Sequence, residues 1–129
     1  MANLPARPRL VVDSSAIAAI LFAEARAEEM VQRLEGAPLA APHWLAIELA
    51  NVCVKKMRLR PQDQPALMEA YGDLAHLGIE YHPIEPAEVL LLAHAKRLSF
   101  YDSCYLWLAR RLDAALVTLD ARLAAATRP

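Results

Sequence analysis

Short apolar runs alternate along the chain with longer stretches in which apolar residues recur every three or four positions. The run RLVV (9–12) is β-branched and uninterrupted, the pattern of a strand buried on both faces. It stops at Asp13-Ser14-Ser15, three residues that favour helix N-caps, and SAIAAILFA (15–23) continues as an apolar helix. A second helix over 25–35 ends at Gly36, a C-cap residue. LAAP (39–42) is a weak strand closed by Pro42, and residues 43–60 carry a long helical pattern that Pro61 ends. Residues 62–77 read as another helix stopped by Gly78, and IEYHPI (79–84) as a strand. Pro86 opens a helix lasting to about residue 98, and a turn at 99–102 leads into a helix that reaches about residue 112. ALVTL (115–119) is the last strand, and Asp120 starts a short terminal helix. Strands alternating with helices predict an α/β fold, a parallel sheet of four to five strands flanked by helices on both faces.

In such sheets ligands bind beyond the carboxyl ends of the strands, which directs attention to the residues there. Asp13 follows the first strand and Asp120 the last, so both are expected on one rim. Each also stands at a helix N-terminus, where a carboxylate is favoured by the helix dipole and free N–H groups. Taken singly, either is an ordinary N-cap; the pair at two strand ends asks for more. Asp102, in SFYDSCYLWLA (99–109), is a third candidate for that rim. Glu48 lies inside HWLAIELANVCV (43–54), with Trp44 four positions before it and Val52 four after, on one face. Leu45, Ile47, Leu49 and Ala50 make this helix apolar nearly all round, so it is expected to be buried. A buried carboxylate needs a cation or donors; the plainer reading is an ion pair across the core.

Composition narrows the choices. The 129 residues suit one compact domain, and a 57% hydrophobic content supplies a full core. The formal net charge of -1 announces no global affinity for nucleic acid. With the four carboxylates set aside as ligands, that -1 becomes +3 for the rest of the chain, compatible with a basic surface around an acidic hole. Cys53 and Cys104 lie far apart in apolar helical runs and read as reduced core residues of a cytoplasmic protein. No apolar run is long enough to span a membrane. Residues 7–27 mimic a secretory leader, but Asp13-Ser14-Ser15 breaks the apolar segment and secretion is not expected.

LVVDSSAI (10–17), the helical ELAN (48–51), YDSCYLWLA (101–109) and LVTLD (116–120) resemble the four ordered motifs of PIN domains, and within them the VapC-type toxins of bacterial toxin–antitoxin pairs. The resemblance spans nearly the whole chain, as a single PIN-like domain over 1–129, and departs from the family at no acidic position. It implies that Asp13, Glu48, Asp102 and Asp120 bind divalent cations and carry catalysis, with Thr118 a polar neighbour and Ser14 and Asn51 orienting the acids. It implies a metal-dependent endoribonuclease leaving a 5′-phosphate and a 3′-hydroxyl, with RNA as substrate, a cognate antitoxin and a homodimer as partners. Oxygen-only ligands suit Mg2+ or Mn2+ better than zinc. His43, His76, His82 and His94 lack metal-ligand spacing. Clustered carboxylates also repel one another, which is expected to raise the pKa of one or more.

Other features are read more modestly. KKMRLR (55–60) is equally a solvated helix end and an RNA-backbone contact, and Arg110 and Arg111 are a weaker case. Trp44 and Trp107 read as core rather than base-stacking platforms. Ile17, Ile20, Leu21 and Phe22 give the first helix apolar surface for a partner groove or for core packing. The rival readings are a non-catalytic acidic pocket for a basic peptide or a structural cation, and an aspartyl-phosphate phosphotransfer domain. The latter lacks the acid pair or D-x-D after the first strand and a Lys after the last. A P-loop or dinucleotide site lacks its glycines.

Overall fold

A computed structural model describes residues 7–128. Four strands, β1 (Leu10–Val12), β2 (Leu39–Pro42), β3 (Glu80–His82) and β4 (Ala115–Val117), form a parallel sheet in the order β3-β2-β1-β4. Helices α1 (Ser14–Leu21) and α2 (Ala27–Leu34) join β1 to β2. Helices α3 (Leu45–Leu59) and α4 (Gln64–Gly72) join β2 to β3, α5 (Pro86–Lys96) and α6 (Phe100–Arg111) join β3 to β4, and α7 (Ala121–Ala126) follows. The chain steps from β1 to β2 to β3 in one direction, then returns to place β4 on the other side of β1. Right-handed crossovers in those two senses put α1–α4 and α5–α6 on opposite faces. The switch in direction opens a crevice between β1 and β4 at their carboxyl ends.

Parallel strands buried on both faces explain the unbroken apolar runs: Val11, Val12, Ala40, Ala41 and Val117 are all inaccessible to solvent. Helix α6 lies across the sheet with Ser103 to Ala109 buried in succession. Helix α1 commits Ile17 and Leu21 to the core and leaves Ile20 and Phe22 half-buried, so core packing claims much of the apolar surface noted in the sequence. Cys53 and Cys104 are buried free thiols.

The boundaries depart from expectation where tertiary partners run out. The last strand, expected over 115–119, ends at Val117 because its neighbour β1 turns into α1 at Asp13, leaving Thr118 and Leu119 no strand to pair with. The Leu119 N–H donates instead to Ser15 Oγ at 2.9 Å. Strand β3 lies at the sheet edge and keeps three residues of the six expected, the ladder stopping before Pro83. The helix expected over 62–77 breaks into 3-10 turns on either side of α4, which buries no residue of its own and is tied down by the Tyr71 hydroxyl donating to Ala46 O at 2.7 Å.

Helix α3 is not buried all round. Its inward stripe is Leu45, Leu49 and Cys53, at intervals of four, while Ile47 is 73% exposed and Asn51, Lys55 and Arg58 face solvent. Glu48 therefore stands at the edge of the core, half-buried, rather than deep within it. This asymmetry sets an expected contrast. Leu49→Ala leaves a cavity and costs about 2–5 kcal/mol, whereas Ile47→Ala changes stability by no more than about 0.5 kcal/mol. Urea unfolding of the two variants measures it, and equal losses would mean that α3 is enclosed.

Candidate active site

Asp13 is the centre of the β1–β4 crevice. The register pairs Val12 with Val117, so the next residues, Asp13 and Thr118, leave the sheet side by side. The Asp13 N–H still reaches Val117 O at 3.3 Å, the last bond of the ladder. Its side chain is the N-cap of α1, accepting the Ala16 N–H on Oδ1 at 3.0 Å, so the bland reading of this aspartate is correct as far as it goes. The same Oδ1 accepts the Ser15 hydroxyl at 2.7 Å, and Oδ2 accepts a short bond from the Thr118 hydroxyl. Three donors compensate a carboxylate that is only 4% exposed. A carboxylate offers about four lone-pair positions, so Oδ2 keeps one free.

Glu48 faces the same region from α3. Ser14 donates a short bond to Oε1, and the Tyr105 hydroxyl donates to Oε2 at 3.3 Å. The two adjacent serines thus serve different acids, Ser14 holding Glu48 and Ser15 holding Asp13. Asp102 sits in the first turn of α6, its N–H capped by Ser99 Oγ at 3.0 Å. Asp120 lies three residues beyond β4 rather than directly after it, and is exposed. It caps α7 through the Leu123 N–H at 2.9 Å, and its own N–H donates to Thr118 Oγ1 at 3.0 Å. Asn51, expected to orient the acids, is exposed and forms no hydrogen bond to a carboxylate among the described residues. It borders Glu48 in an open hollow instead.

Electrostatics links the four acids in a series. Burial raises the Asp13 pKa, its three donors oppose the rise, and the Asp102 charge adds to it. Burial also raises Glu48, with Asp13 and Asp102 adding to the rise, and it raises Asp102, with Asp120 adding and Arg122 opposing. The expected elevation is therefore present, but desolvation is its largest cause and mutual repulsion the smaller one. Among the described residues, no three His, Cys, Asp or Glu side chains converge to hold a metal ion. Asp13, Glu48 and Asp120 are each held by hydroxyl or backbone donors instead of by a shared counter-charge. Carboxylate oxygens are the donor type that a hard divalent cation takes, and the four acids offer no nitrogen or sulfur, although no three of them converge on one point among the described residues.

Sequence reasoning missed Ser15 and Tyr105. Ser15 joins Asp13 to the Leu119 N–H and so ties α1 to the end of β4. Tyr105, 1% exposed, follows Asp102 by three positions on α6 and so shares its face, the one signal that pointed to it.

A family model for the PIN domain matches residues 10–129. Ribonuclease VapC3 of Pyrobaculum aerophilum is 34% identical over 124 residues, which cover 90% of this chain and 92% of that protein. The crystal structure of PAE2754 from Pyrobaculum aerophilum superposes with a TM-score of 0.76 at 29% identity, covering 94% of this chain and 87% of that one.

The raised Asp13 pKa has a definite consequence for stability. Between the ordinary carboxylate pKa and the raised one, the folded state holds more protons than the unfolded chain, so stability falls as pH rises through that window. In EDTA, the parent is therefore expected to lose stability relative to Asp13→Asn as pH increases. Urea unfolding at a series of pH values checks the sign; a constant difference would mean that Asp13 titrates as it does in the unfolded chain.

Proposed function

Because the chain belongs to the PIN-domain family and has a VapC-type ribonuclease among its relatives, we propose that it is a metal-dependent endoribonuclease, a single PIN-like domain acting as the toxin of a toxin–antitoxin pair. The observation that carries this reading is the position of Asp13. It stands at the strand-order switch between β1 and β4, with Glu48 and Asp102 near enough to raise its pKa or have theirs raised by it. In this reading Asp13, Glu48, Asp102 and Asp120 hold Mg2+ or Mn2+, which supplies a polarised water and neutralises charge on a phosphodiester.

The chain's own residues prepare that site. Thr118, Ser15 and the Ala16 N–H fix the Asp13 carboxylate and leave one lone pair of Oδ2 for a ligand. Ser14 and Tyr105 do the same for Glu48, leaving one lone pair on each oxygen. Holding the acids in place before the ligand arrives removes part of the cost of assembling them. The acids must lose their protons to bind a cation, so binding strengthens as pH rises, the more so because burial raises three of them.

Two partners belong to the same reading. An apolar hollow of about 290 Å³ between α1 and α2, bordered by Ile20, Val31, Leu34 and Leu39, suits an antitoxin segment. Helix α5 buries only Val89 and turns Leu90 and Leu91 outward, as the surface of a homodimer would. No helix among the described residues is long and apolar enough to cross a membrane, and a cytoplasmic location is the accompanying expectation.

The parent is expected to cleave RNA with Mg2+ or Mn2+ and to stop in EDTA. Asp13→Asn, Glu48→Gln, Asp102→Asn and Asp120→Asn should each remove cleavage while the circular dichroism spectrum stays that of the parent. Mn2+ should also raise the melting temperature of the parent, by the equivalent of about 2.7 kcal/mol at a hundredfold excess over its Kd. The rise should be larger at pH 8 than at pH 5, roughly spanning the range in which such ligands deprotonate. Undiminished cleavage by Asp13→Asn, or a melting temperature indifferent to Mn2+ at the higher pH, would refute the metal site. The second outcome would favour an acidic pocket for a basic peptide.

A further inference from the structure

Beside the carboxylates, between the start of α3 and the start of α6, lies an open hollow of about 760 Å³ lined by Trp44, Ile47, Glu48, Asn51 and Tyr101. Its apolar walls are open to solvent, Ile47 being 73% exposed and Tyr101 64%, and Glu48 and Asn51 supply its polar side. Trp44, the residue before α3, is half-buried and meets Tyr101 edge to face, with centroids 5.4 Å apart and planes at 78°. It is braced from behind by Tyr105 at 5.1 Å and 72°. Tyr101 directly precedes Asp102 and Ile47 directly precedes Glu48, so the hollow and the acidic site share a border. From it, Ile47, Asn51, Lys55 and Arg58 continue as one exposed face of α3, about 16 Å long. Lys56 and Arg60, the neighbouring cations, are taken up by Glu24 and Asp63 at 2.7 Å, whereas Lys55 and Arg58 have no acidic partner among the described residues.

We propose that this hollow is a base-stacking subsite, taking one unpaired RNA base next to the phosphate to be cleaved, with the strand's backbone continuing along Lys55 and Arg58. The inference rests on the ribonuclease reading and names its substrate as single-stranded RNA. Aromatic faces beside a hydrophobic side chain accept any base, because every base has a π face. The two unpaired cations suit phosphates at the far end of the track and would repel a basic peptide, the ligand that Glu48 would otherwise attract. Trp44 is then part of a binding surface and not only of the core.

The test uses short single-stranded ribo-oligonucleotides carrying 2-aminopurine, titrated into the full chain in EDTA at low salt, with Mn2+ affinity measured separately by paramagnetic resonance. Tyr101→Ala should weaken binding about tenfold and lose most of the aminopurine quenching. Tyr101→Phe should bind as the parent does, and Mn2+ affinity should be unchanged in both. An abasic site at the quenched position should weaken the parent but not Tyr101→Ala, a coupling that loss of structure would not produce. Lys55→Ala and Arg58→Ala should each flatten the salt dependence, by about one in slope. Unchanged quenching and affinity in Tyr101→Ala, with cleavage intact, would overturn the subsite alone and leave the hollow to a peptide. Tyr101-dependent quenching in a protein that never cleaves RNA would uphold base stacking in the hollow and refute the nuclease reading, and with it the place of the hollow beside a cleaved phosphate.

Discussion

Asp13 joins the end of β1 and the start of α1 to Thr118 at the end of β4, 105 positions along the chain. It closes the β1–β4 ladder through its N–H, starts α1 by accepting the Ala16 N–H, and receives the Thr118 hydroxyl from the end of β4. A buried charge of this kind is tolerable only when its lone pairs are met, and here donors from both strand ends meet them. Those donors fix where α1 leaves the sheet and where β4 must stop. Thr118 also accepts the Asp120 N–H at 3.0 Å, which ties the start of α7 to the same arrangement.

What stabilises the site also limits it. Burial disfavours the charged forms of Asp13, Glu48 and Asp102, and each then meets a further negative charge close by. The fold answers with local hydroxyls, Ser14 and Tyr105 for Glu48 and Ser15 and Thr118 for Asp13, rather than with lysine or arginine. Hydroxyls hold a carboxylate in place without neutralising it. A site compensated in this way keeps its negative potential, which a set of internal ion pairs would have cancelled. Arg122 opposes the rise at Asp102, but it also reaches the Arg97 carbonyl at 3.0 Å and is exposed, so its screening is slight.

Helix α3 is the boundary between this interior chemistry and the outside. Its buried stripe of Leu45, Leu49 and Cys53 anchors it, and the next position around the cylinder is Glu48, half in the core and half in the hollow. One further step reaches Ile47 and Asn51, wholly at the surface. A single helix thereby presents a packing face, an acid and an exposed track within half a turn of its circumference. The same division explains why an apolar count overstated the burial of this helix: Ile47 is hydrophobic but belongs to the outer face.

The α/β class, the parallel sheet and the positions of Asp13 and Asp120 were legible in the sequence because their signals are local. A short β-branched run that stops at N-cap residues, as RLVV does, reads as a strand buried on both sides, and an aspartate at a strand-to-helix junction reads as a helix cap. The ordered motifs around Asp13, Glu48, Asp102 and Asp120 were legible through their resemblance to the PIN family. Three matters were settled only by packing. Strand β4 stops at Val117 because β1 turns away there, a fact about another segment of chain. Ser15 and Tyr105 acquire their partners across 104 and 57 positions, distances at which no periodicity carries information. The exposure of Trp44, Ile47 and Tyr101 depends on where α3 and α6 meet, because whether an apolar side chain is core or surface is decided by what the fold places opposite it.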